Sequence, residues 1–160
     1  MGIFMKKLHT IGDYTYPFED INARPEKIIY NHKGFGFVHY NPERPGMKRN
    51  TDWWCILKIN KDITRYYRYW IYNRYGIKLY PPAWDAHISI VRGQEPPNNG
   101  YWEKYNNTRL EFYYSDWVRG SVDLKFWNIM VSCTKGQLLR NELGIHNEPK
   151  FHITIGRLYE

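Results

Sequence analysis

The sequence predicts a single α+β domain built on an internal duplication, and three observations carry that expectation. The chain has 160 residues, enough for one hydrophobic core and too few for two domains of ordinary size. Its apolar segments fall twice into the order strand, helix, strand: 53–59, 63–75 and 86–91, then 122–133, 135–143 and 151–155. The closing strand of each unit carries one pattern, Ala86-His87-Ile88-Ser89-Ile90 in the first and Phe151-His152-Ile153-Thr154-Ile155 in the second.

The first fifty residues are punctuated by Gly34, Gly36, Pro42, Pro45 and Gly46, so an irregular N-terminal extension with one or two short strands is expected there. The run 53–59 is aromatic and β-favouring, is bounded by Asp52 and Asn60, and reads as a strand. A helix follows, with Asp62 as its N-cap, Ile63, Tyr67, Trp70 and Ile71 at helical spacing, and Gly76 as its stop. The rigid Pro81-Pro82 pair leads into strand 86–91. Segments 110–114 and 122–133 form a hairpin whose turn is placed at Arg119-Gly120. Thr134 caps the second helix, Leu138, Leu139 and Leu143 supply its apolar face, and Gly144 ends it before the last strand.

Leu, Ile, Val and Phe make up 37 of the 160 residues, enough to specify a folded core, and 22 more are Tyr or Trp. The aromatic residues with polar handles explain a mean hydropathy of -0.70 in a chain that still folds. A net charge of +7 favours polyanionic partners such as nucleotides, RNA or an acidic surface. Cys55 and Cys133 lie in apolar runs without Cys or His at ligand spacing, so buried free thiols are expected, with no metal and no cofactor. No stretch approaches 18 apolar residues and the N-terminus lacks a cleavable apolar segment, which predicts a soluble cytoplasmic protein with no membrane partner.

Side chains alternate between the faces of a strand, so His87 and Ser89 point one way and Ile88 and Ile90 the other; His152 and Thr154 repeat this against Ile153 and Ile155. Brought together, the two strands form a cleft with two imidazoles and two hydroxyls. An unperturbed imidazole titrates near pH 6.5, so one ring accepts a proton while the other, as imidazolium, donates one. The hydroxyls hold the non-bridging oxygens of a phosphodiester between the rings. His9, His32, His39 and His146 lack this context and are assigned to the surface or to local hydrogen bonds.

The sequences His87-Ile88-Ser89-Ile90 and His152-Ile153-Thr154-Ile155 resemble the paired motifs of the two-histidine (2H) phosphoesterases. The resemblance covers 53–157 in plan, with the duplicated units at about 53–92 and 122–157. It implies two β-sheet lobes with outer helices around a central cleft, His87, Ser89, His152 and Thr154 as catalytic residues, and metal-independent hydrolysis of nucleotide phosphodiesters. Within that superfamily the basic, aromatic-rich chain resembles phage-encoded members of the anti-CBASS type, which degrade cyclic oligonucleotide signals of antiviral defence in the host cytoplasm. An RNA-processing role at 2',3'-cyclic or 2',5'-linked ends is the enzymatic alternative. A basic aromatic domain that binds RNA or sequesters nucleotides is the non-enzymatic one.

Four accessory residues are candidates for substrate binding. Trp54 and Lys58 share a strand face, where they would stack a base and neutralise phosphate, with core packing and solvation as the plainer roles; Tyr113 and Trp127 are further stacking candidates. Arg92 and Arg157 each follow their histidine by five positions, with opposite strand parity. They are expected in rim salt bridges, reaching the cleft only where the strand bends or ends. The turn-rich 96–100 loop is a candidate cleft border.

Overall fold

The computed structural model describes residues 24–43, 51–84, 86–121 and 123–159, together with the backbone of two short paired strands, β1 (Leu8–Ile11) and β2 (Tyr14–Pro17). The side chain of His9, the Pro45-Gly46 turn and Val122 lie outside the described residues. Six further strands, β3 (His32–Tyr40), β4 (Cys55–Ile59), β5 (His87–Val91), β6 (Arg109–Gly120), β7 (Phe126–Ser132) and β8 (His152–Arg157), close an antiparallel circuit in the order β3-β4-β5-β8-β7-β6. Helix α1 (Lys61–Tyr75) links β4 to β5, and α2 (Thr134–Glu142) links β7 to β8.

The fold is α+β, as the sequence predicts, with local corrections. Asn60, two residues before Asp62, caps α1 by accepting the Asp62 N–H at 2.9 Å, and Gly76 closes the helix at φ 70°. Cys133 occupies the cap position of α2, in place of Thr134, and makes no side-chain cap bond. Gly120 ends β6 and is not the turn. The reversal lies beyond it, where Ser121 Oγ and Asp123 bond each other and Leu124 takes φ 58°. Segment 32–40 is no irregular extension, because it pairs with both β4 and β6 and completes the circuit.

One face of the strands is apolar and packs with both helices. Val38, Leu57, Ile88, Ile90, Phe112, Ile129, Ile153 and Ile155 from the strands meet Tyr67 and Ile71 of α1, Leu139 of α2 and Leu143 just after it in one core. Burying such side chains contributes about 1.5–3 kcal/mol each, the main term holding the circuit together. Cys55 and Cys133 lie in this core as free thiols, and burial pushes both up from the ordinary thiol range. No helix is long and apolar enough to cross a membrane among the described residues.

Candidate active site

β5 and β8 carry the two motifs side by side, paired at Ile88 and Ile153. Continued one step either way, antiparallel register sets His87 across from Thr154 and Ser89 across from His152, all on the face opposite the core isoleucines. The strands part around the shared pair, and a pocket of about 470 Å³ opens there, lined by all four motif side chains. The sequence therefore fixes which face is polar, and the adjacency of β5 and β8 converts two separate motifs into one cleft.

Several contacts orient these groups before any substrate arrives. His152 holds its Nδ1 3.0 Å from the Lys150 carbonyl, and since a carbonyl only accepts, Nδ1 carries the proton and Nε2 is the nitrogen left for proton transfer. The Trp54 indole N–H donates to Ser89 Oγ at 3.0 Å, occupying an oxygen lone pair and directing the hydroxyl proton elsewhere. The same indole meets the His87 ring edge-on at 5.7 Å between centroids. Trp54 is only 1% exposed, so it forms the floor under the motif and offers no face for stacking a base.

Arg92 and Arg157 both line the cleft, contrary to the expectation of rim salt bridges. The cause is a β-bulge repeated in each motif strand. Between β4 and β5 the register steps from Ile56–Ser89 to Cys55–Val91, and between β7 and β8 from Asn128–Thr154 to Trp127–Gly156 and then Phe126–Arg157. Each motif strand thus carries one extra residue directly after its hydroxyl residue, Ile90 or Ile155. The insertion reverses the side-chain parity beyond it. Both arginines emerge on the histidine face, and the Arg92 guanidinium lies 5.3 Å from the Trp54 ring.

Two buried donors in the cleft wall, Trp84 Nε1 and Arg157 Nε, have no hydrogen-bond partner among the described residues. Unpaired buried donors are costly, and the cleft that these two residues line also holds the Arg92 and Arg157 cations, a lining that suits an oxyanion. Phe126, 53% exposed and across from Arg157, borders the same cleft as an accessible aromatic face. Sequence reading passed over Trp84 and Phe126. The signal for Phe126 was its even spacing from Asn128 and Met130 on the polar face of β7.

The remaining candidates separate. Lys58 is exposed and stands opposite His87 across β4 and β5. Tyr113 is exposed but lies on β6, away from the cleft. Trp127 is fully buried, its indole donating to the Leu124 carbonyl at 2.9 Å, so a stacking role is ruled out. The 96–100 loop packs on the end of α2, where Asn98 bonds the Leu143 and Glu142 carbonyls, and does not line the cleft. His32 pairs with Asp116, and His146 is exposed. Among the described residues no cluster of three or more His, Cys, Asp or Glu side chains is arranged to hold a metal ion.

No protein family, curated protein or solved structure matches this chain.

Proposed function

We propose that the protein is a 2H-type phosphodiesterase that cleaves nucleotide phosphodiester bonds without a metal. The observation that carries this reading is the convergence of His87, Ser89, His152, Thr154, Arg92 and Arg157 on one cleft. The palindromic strand order β3-β4-β5-β8-β7-β6 supports its finer form, a duplicated fold of two lobes meeting at β5 and β8.

For a ribonucleotide 3',5' linkage, one neutral imidazole takes the proton of the 2'-hydroxyl as O2' attacks phosphorus. The P–O5' bond breaks, and the other ring, as imidazolium, delivers its proton to O5', leaving a 2',3'-cyclic phosphate and a 5'-hydroxyl. Water attack on the cyclic phosphate reverses the two roles. Ser89, Thr154 and the two arginines hold the non-bridging oxygens and offset the charge that develops on them. Cyclic di- and oligonucleotide signals of antiviral defence are the leading substrates within this class, a viral counter-defence role. RNA ends are the second, favoured by the exposed cations and aromatic rings that continue from the cleft across β4, β3 and β6.

The test is turnover of cyclic di- and trinucleotides, 2',3'-cyclic mononucleotides and short RNA in EDTA, read by product chromatography. Cleavage of at least one of them under chelation is expected. Binding without turnover across the panel would leave the sequestering domain as the function. Activity abolished by EDTA and restored by Mn²⁺ or Zn²⁺ would overturn the assignment of the histidines as acid and base.

A further inference from the structure

The polar face that holds the motifs does not end at the cleft. Strand register places His87 opposite Lys58, Lys58 opposite Phe37, and Phe37 opposite Arg109, one row running across β5, β4, β3 and β6. At ~4.8 Å between neighbouring strands, the row extends roughly 14 Å from His87. Phe35 and Phe37 stand next to each other on β3, 49% and 47% exposed, with ring centroids 6.0 Å apart in an edge-to-face arrangement. The Arg109 guanidinium sits 4.3 Å from the Phe35 ring.

Exposed phenylalanines on a strand face oppose the hydrophobic effect unless the face receives something. Their neighbours identify what it receives. Lys33 and Arg109 are held beside the rings by ion pairs to Glu111 at 3.3 and 3.4 Å, and Lys58 adds a third cation to the strip. Aromatic faces and cations on an exposed sheet face, here with the Glu111 carboxylate among them, stack bases and neutralise the phosphates between them without demanding a sequence.

We propose that this strip is a binding track for a single-stranded oligonucleotide whose scissile phosphodiester lies in the cleft, which adds linear RNA strands to the cyclic substrates that the cleft alone would take. The cleavage part of this statement rests on the phosphodiesterase reading. The track does not, because it is defined by charge and stacking alone.

Binding of fluorescein-labelled oligothymidylate to the full chain tests it, since DNA lacks the 2'-hydroxyl and is not cleaved by the proposed route. A twelve-residue probe should bind at least about tenfold tighter than a three-residue one, and Phe37→Ala should weaken the longer probe about tenfold. Arg109→Gln and Lys58→Gln should each reduce the slope of log K against log salt by about 0.7, whereas Phe37→Ala leaves it unchanged. Tyr72→Ala, an exposed ring on α1 outside the strip, should bind the probe like wild type. Circular dichroism checks the folds, and these side chains are exposed. Affinity independent of probe length, or track variants within about twofold of wild type, would overturn the track and leave the turnover reading standing. Tight, length-dependent binding beside a chain inactive on every substrate would do the reverse.

Discussion

Arg140, on α2, donates from Nη1 to the carbonyl of Ile90 at 2.8 Å. Ile90 is the residue the β5 bulge inserts, and Arg140 is 6% exposed, with a further bond to Asn147 Oδ1 at 2.9 Å. The other half repeats the contact, because Arg68 of α1 donates to the carbonyl of Ile155, the inserted residue of β8, at 2.7 Å. α2 therefore secures β5, and α1 secures β8. A bulged carbonyl loses its place in the ladder, and a buried guanidinium supplies the missing donor.

Arg140→Met keeps the aliphatic stem and removes the donors, so it should cost about 1.5–3 kcal/mol of stability. Arg68→Met should cost less, since Arg68 is half-buried and water can replace it. Urea titration measures both. Turnover should fall as well, because a relaxed bulge no longer turns Arg92 or Arg157 toward the cleft; unchanged stability in Arg140→Met would mean that the clamp is incidental.

The α+β class, both helices and the polar face of each motif were legible in the sequence, since each rests on local periodicity. The bulges were not. Their effect is to reverse parity after Ser89 and Thr154, and alternation read along the chain assigns Arg92 and Arg157 to the wrong face. Strand β3 was hidden for a related reason: its large residues Phe35 and Phe37 face outward and its glycines inward. A Cβ at Gly34 would come within 2.6 Å of the Phe112 ring, so the core demands glycine where pattern reading expects a large apolar residue. The closure of β3 on β6 joins residues some eighty positions apart, a pairing no local signal encodes.

His87→Ala and His152→Ala should each lower turnover by at least about a hundredfold with the fold retained, because each removes one of two proton-transfer groups. Both rings lie on the polar face, so the core is untouched. Product chromatography gives the rate and near-ultraviolet dichroism the packing. Near wild-type turnover in either variant would end the two-histidine mechanism.

Ser89 and Thr154 should differ in a way the repeated motif alone does not suggest. Each alanine variant loses a hydroxyl donor to phosphate, about tenfold to a hundredfold in turnover. Ser89→Ala also deletes the acceptor of the Trp54 indole, which adds a stability loss of about 1 kcal/mol. Trp54→Phe should lower turnover less than Ser89→Ala, since it frees the hydroxyl to rotate without removing it. Equal melting temperatures for Ser89→Ala and Thr154→Ala would show that the indole bond contributes nothing.

The pH profile tests the division of labour between the rings. Cleavage needs one imidazole neutral and the other protonated, and the fraction of molecules in that state rises and then falls with pH. A bell is expected in kcat/KM. Arg157→Gln should lower the bell and raise KM, since it removes a cation from the phosphate site. Thr154→Ala should lower the bell in place, as a hydroxyl carries no charge. A single rising limb without a fall would mean that no protonated group is required, and proton exchange between His87 and His152 would have to be abandoned.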